Sequence, residues 1–182
     1  MVIFMNENGK FALVKRPSSA IEKAAPGAKR ILSGMIADAH ALAKKRPLKI
    51  IVVDDDECFR ELVESVILDK FQNVSVQMFS SPYKAWQELQ RNDPDLLITD
   101  DMMMGSNQVN NGYDLVKLLA ERKVNYPIIV ASGYSPTEQW VREFAAENLS
   151  ITFLGKPFTN EQFYQELSKH LGSRLQFRNG KT

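Results

Sequence analysis

The sequence predicts an α/β fold: a doubly wound, five-stranded parallel sheet with helices on both faces, preceded by a hairpin and a helix. Three observations carry this expectation. Five short apolar runs, at 49–53, 74–79, 96–99, 127–131 and 151–154, alternate with helix-like stretches at 57–70, 82–91, 112–123, 136–147 and 160–171. Such alternation implies right-handed crossovers and parallel pairing. The third and fourth runs, DLLIT and PIIVA, are apolar almost throughout, as strands covered on both faces require. Finally, four runs stop abruptly at reactive side chains: KIIVV at Asp54-Asp55-Asp56, DLLIT at Asp100-Asp101, PIIVA at Ser132 and ITFLG at Lys156.

The elements follow in order. MVIFM and FALVK flank Asn8-Gly9, a strong hairpin signal. From Ala28 to about Lys45, Ile31, Leu32, Met35, Ile36, Ala39 and Leu42 form one apolar stripe at helical spacing. Lys44, Lys45 and Arg46 suit the last turn of that helix, and Pro47 ends it. Ser81-Pro82 and Ser135-Pro136 each set a capping residue before a proline at the first helical position. Thr159 to Gln162 matches a capping box. The expected organisation is an N-terminal extension over 1–47, a main domain over 48–172 and a short tail over 173–182. The tail, GSRLQFRNGKT with Gly172, is too short for another domain.

Bulk properties fit one globular domain of roughly 100–150 residues plus an extension. The net charge of +1 hides an asymmetry: residues 1–49 hold 10 Lys/Arg and 3 Asp/Glu, whereas 50–182 hold 13 and 19. The basic part is either a solvated helix face or a contact for an acidic partner. It carries no interleaved aromatic residues over 15–49, which argues against single-stranded nucleic acid. No apolar run approaches the ~20 residues that cross a bilayer, so no membrane partner is expected. The start lacks a signal-peptide pattern, and the lone Cys58 excludes an internal disulfide. The expected location is cytoplasmic.

The strand ends carry the chemistry. In an open parallel sheet the carboxyl ends of the strands share one edge, and ligands bind in the crevice there. That edge would gather carboxylates, a hydroxyl and an ammonium, the composition of a site for a divalent cation and a phosphoryl group. Clustered carboxylates retain a proton or bind a cation, and hard oxygen donors suit Mg²⁺. Asp56 and Glu57 read instead as helix caps. Lys156 is either a charge balance or a phosphoryl ligand. Ser132 alone is a weak signal, common at strand ends. Cys58 reads as a packing residue, His40 and His170 as non-catalytic, Met102 to Met104 as loop and core packing, and Trp86 and Trp140 as packing or partner-surface residues.

IIVVDDDE, PDLLITDDMMMG, IIVASG and FLGKPF, in that order, resemble the receiver domain of two-component response regulators over about 48–172. The resemblance implies a flavodoxin-like (βα)5 fold and a role for each strand end. Asp100 becomes the phosphoacceptor, taking a phosphoryl group from a histidine kinase or histidine phosphotransfer protein. Asp55 and Asp100 ligate Mg²⁺, with Mn²⁺ as the second candidate. Asp54 ligates it directly or through water, and the backbone carbonyl of Met102 completes the protein's share. Ser132 bonds a phosphoryl oxygen, Lys156 pairs with Asp100 at rest, and Phe153 is the switch aromatic. A self-phosphorylating switch, not a turnover enzyme, is implied. It would act on a protein target the sequence does not name, without an attached output domain. The N-terminal stripe suggests a homodimer.

Some residues depart from the family pattern. Met104 stands where proline is usual, and GSNQVNN lengthens the loop before Gly112 by about four residues. Asp101 replaces an apolar residue and is expected to point outward. Bulky Met102 and Tyr134 flank the path of hydrolytic water in this family, implying slow self-dephosphorylation. Two alternatives remain: a non-switching pseudo-receiver scaffold, and a haloacid-dehalogenase-type phosphatase with Asp54 as nucleophile. The latter family places Thr or Val where Cys58 stands and wants further acids after the lysine, where only Glu161 and Glu166 follow.

Overall fold

The computed structural model describes the backbone of residues 2–5 and 11–14, and residues 46–103, 109–133, 144 and 149–178. The Asn8-Gly9 turn, the helix at 28–45 with His40, Met104 with 105–108, Tyr134, and the helix expected at 136–147 with Trp140 lie outside the described residues, Phe144 excepted. The chain divides into two compact units, Met1–Arg46 and Pro47–Thr182.

In the first unit, β1 (Val2–Met5) and β2 (Phe11–Val14) pair antiparallel, with Val2 opposite Val14 and Met5 opposite Phe11. This is the expected hairpin.

The second unit contains β3 (Leu48–Val53), α1 (Glu57–Lys70), β4 (Val74–Phe79), α2 (Pro82–Leu89), β5 (Leu96–Thr99), α3 (Gly112–Glu121), β6 (Ile128–Ser132), β7 (Ile151–Gly155) and α4 (Asn160–Leu171). The strands form one parallel sheet in the order β4-β3-β5-β6-β7. The period of two along each strand sorts its side chains into two cores. Ile51, Val53, Leu97 and Val130 face Leu89, Leu115 and Leu119 of α2 and α3. Ile50, Val52, Leu96, Ile98 and Ile129 face Val63, Ile67, Phe163 and Leu167 of α1 and α4. The central β5 and β6 are buried at every position, which is why their sequences are apolar without alternation.

The helix starts bear out their signals. Asp56 caps α1 by accepting from the N–H groups of Cys58 and Phe59. Ser81 precedes Pro82 as the N-cap of α2, without a side-chain bond. Thr159 and Gln162 form the reciprocal capping box of α4. Two expectations are corrected. Cys58 is exposed, not packed, because it lies on the solvent side of the first turn of α1. Asp101 does not point wholly outward, since its Oδ1 is buried with no hydrogen-bond partner among the described residues. The segment after α4 packs back on the domain through 178. Leu175 is buried, Phe177 bridges Phe71, the Gln72 N–H donates to the Gln176 carbonyl, and Arg174 pairs with buried Asp95.

Candidate metal and phosphoryl site

The strand order reverses beside β3: the chain passes from β3 through α1 to β4 on one side, then back through α2 to β5 on the other. The crevice beyond these carboxyl ends is where a doubly wound sheet binds ligands. Register sets the residues there. Val53 lies opposite Thr99, so Asp54 and Asp100 leave adjacent strands side by side. The Asp100 N–H donates to the Val53 carbonyl at 2.8 Å. Ser132 lies opposite Gly155, and the N–H of Lys156 donates to the Ser132 carbonyl at 2.6 Å.

Asp54, Asp55 and Asp100 each bring a carboxylate oxygen within 4.8 Å of the others. Asp54 and Asp100 are buried, while Asp55 is exposed at the mouth. The Lys156 ammonium reaches in from the end of β7, 2.6 Å from Asp54 Oδ2 and 3.3 Å from Asp100 Oδ1. Asp54 Oδ1 accepts the N–H of Asp56 at 2.9 Å, and the Asp54 carbonyl accepts from Arg60 Nη1 at 2.7 Å. Burial pushes the Asp100 carboxyl above its ordinary value; Lys156 pulls it down, and the charges of Asp54 and Asp101 push it up.

Three hard carboxylate donors with one ammonium fit a small divalent cation such as Mg²⁺, which takes one or two carboxylates and keeps several waters. Nothing in this donor set suits a soft metal.

The remaining expected residues lie around this core. Ser132 is buried at the end of β6. Phe153 is half-buried on β7, packed against the α2–α3 core. Met102 is 65% exposed, whereas Met103 beside it is buried. Val109, between Asp100 and α3, is fully buried in the α2–α3 core.

Two residues of this region escape a reading of motifs. Gly112 starts α3 directly against the acceptor strand; a Cβ there would fall 1.9 Å from the Asp100 carbonyl oxygen. Phe59, in the first turn of α1, sets its ring under the Lys156 ammonium. Glycine at a helix start and phenylalanine in an apolar stripe carry no signal in one sequence.

A family-wide sequence profile described as the response regulator receiver domain matches residues 50–168. The chain belongs to this family, whose members are signalling switches of two-component systems that bind Mg²⁺ at an acidic pocket. The sensory transduction protein LytT of Bacillus subtilis is 26% identical over 123 residues, covering 68% of this chain and 48% of that protein. The chain thus spans about half the length of that curated relative. A CheY-like response regulator receiver domain protein from Methanospirillum hungatei is similar in structure, with a TM-score of 0.59 at 13% identity over 70% of this chain and 96% of that one. The chemotaxis protein CheY4 of Vibrio cholerae has a TM-score of 0.56 at 22% identity, covering 69% of this chain and 99% of that one. At these identities the structural likenesses speak for the fold alone.

Proposed function

We propose that Asp100 accepts a phosphoryl group from the phosphohistidine of a histidine kinase or histidine phosphotransfer protein, and that the chain signals by the change this imposes. The observation that carries this reading is the convergence of Asp54, Asp55 and Asp100 on one point, with a single ammonium bridging two of them.

An Asp100 carboxylate oxygen attacks phosphorus, the P–N bond breaks with its electron pair left on the imidazole, and an acyl phosphate forms. Asp54, Asp55, Asp100 and the Met102 carbonyl are the proposed holders of Mg²⁺ or Mn²⁺. When bound, the cation neutralises negative charge on the transferring group. Lys156 leaves Asp54 and pairs with a phosphoryl oxygen. The Ser132 hydroxyl donates to another, and Phe153 turns inward behind it. Signalling is then a population shift toward the state with both inward. This is positioning and charge neutralisation, nearly all that phosphoryl transfer asks of a protein. The proposed setting is the cytoplasm.

Mg²⁺ with beryllofluoride, a stable phosphoryl mimic, separates this from the scaffold reading. A switch gives Mg²⁺-dependent chemical-shift changes at Ser132 and Phe153; a scaffold gives none. The 1–47 segment is proposed as a self-association element. Light scattering of the full chain and of a variant beginning at Pro47 tests this, and the same subunit count in both removes the idea.

A further inference from the structure

We propose that Phe59 is the positioning residue for the Lys156 ammonium, holding it over the acidic pocket by the face of its ring. The inference deepens the function proposed above and rests on it. Lys156 Nζ lies 3.8 Å from the Phe59 ring centroid, well within the ~6 Å reach of cation–π attraction. The same nitrogen contacts Asp54 at 2.6 Å and Asp100 at 3.3 Å. The ammonium therefore touches an aromatic face as well as both buried carboxylates.

The ring is itself held in place. Phe59 meets Phe158 edge-on, with centroids 5.9 Å apart and an interplanar angle of 81°. Phe158 stacks on Phe163 at 5.5 Å and 21°, and Phe163 is fully buried in the α1–α4 core. A column of three rings thus runs from the core to the pocket. Backbone geometry ties the same turn to the acids: Asp56 donates its N–H to Asp54 Oδ1 and accepts the N–H of Phe59.

Lysine carries its charge on a flexible four-carbon stem, so a point charge must be held to be useful. In the cation-free protein Asp54 helps to hold it. When a divalent cation takes Asp54 and Asp55, that attachment is lost. The ring cannot ligate the cation, so its attraction for the ammonium persists and keeps it beside Asp100. An aliphatic side chain would fill the same space without the negative ring face.

Two measurements test this. In the cation-free full chain, proton–carbon NMR should show the Lys156 ε-methylene protons shifted upfield by the Phe59 ring current. The shift should vanish in Phe59→Leu and be restored in Phe59→Tyr. In Mg²⁺ titrations, Phe59→Leu lets the ammonium move away from the entering cation, relieves their repulsion, and should bind the cation about three- to tenfold more tightly. In a Lys156→Met background the same change should alter the dissociation constant by less than about twofold. Unshifted Lys156 protons in the native chain, or a Phe59→Leu effect of equal size in both backgrounds, overturns the inference. A native chain that binds no Mg²⁺ overturns the proposed function instead, while the NMR measurement still decides the ring–ammonium contact.

Discussion

The Lys156 ammonium is bonded first to Asp54, at 2.6 Å, and less closely to Asp100, at 3.3 Å. The lysine thus pairs with the proposed acceptor, as expected, and more closely still with Asp54. Under the proposed function, the lysine and a divalent cation would draw on the same Asp54 carboxylate. Removing one partner of a buried ion pair leaves the other charge uncompensated, at a cost of about 3 kcal/mol or more. Lys156→Met should therefore lower the melting temperature in chelator and gain more from added Mg²⁺ than the native chain does. Thermal melts with and without Mg²⁺ check this; equal Mg²⁺ stabilisation of both proteins would contradict it.

Gly112 sits against the acceptor strand for a steric reason. A methyl group there would meet the Asp100 carbonyl oxygen at 1.9 Å, and backbone on both sides leaves little room to yield. Gly112→Ala should destabilise the chain by about 3 kcal/mol, or move Asp100 and weaken cation binding. Urea unfolding with a parallel Mg²⁺ titration reads both. A variant with native stability and native affinity would show that α3 does not set the acceptor strand.

His170 on α4 bonds Thr152 of β7, with 2.8 Å between Nε2 and Oγ1. Burial lowers its pKa below 6.5; Glu166 opposes this and Lys169 adds to it. The unfolded chain then binds more protons than the folded one between the folded value and 6.5. Stability should be fully present above that window and fall as pH drops through it. His170→Gln should remove this part of the slope. Urea midpoints across the window, in both proteins, provide the check; parallel curves would contradict the prediction.

The segment after α4 is a strap. Leu175 is buried, Phe177 lies 5.3 Å from Phe71 between ring centroids, and Lys70 lies 5.5 Å over the Phe177 ring. Ending the chain after Gly172 should cost about 3 kcal/mol, mostly from losing one buried leucine and part of an aromatic contact. Denaturant unfolding of the shortened chain measures it, and an unchanged midpoint would contradict the strap.

Much of the fold and the acids of the site are visible in the sequence, for physical reasons. Strands buried on both faces must be apolar, so DLLIT and PIIVA mark themselves, and the first polar residue after each falls at the crevice edge. Asp54, Asp100, Ser132 and Lys156 are found that way. The Thr159–Gln162 capping box is visible because both partners are local. What is hidden depends on distant neighbours. Leu175 and Phe177 are isolated apolar residues in a polar tail, and the α1–α4 core for the one and Phe71 for the other give them a place. Phe59 reads as one more position of an apolar stripe until β7 brings Lys156 over it. Asp101 reads as facing outward, and its buried Oδ1 depends on packing that no local pattern records.

The most direct test compares the two buried acids as acceptors. The native chain, Asp100→Asn and Asp54→Asn are each incubated with acetyl phosphate and Mg²⁺, then followed by intact mass and peptide mapping. The expected result is one hydroxylamine-labile phosphoryl group on the native chain, mapped to Asp100 and absent from Asp100→Asn. With Met102 beside the acceptor, loss of the group should take many minutes or longer. A phosphoryl group retained by Asp100→Asn, or mapped to Asp54, would contradict Asp100 as the acceptor.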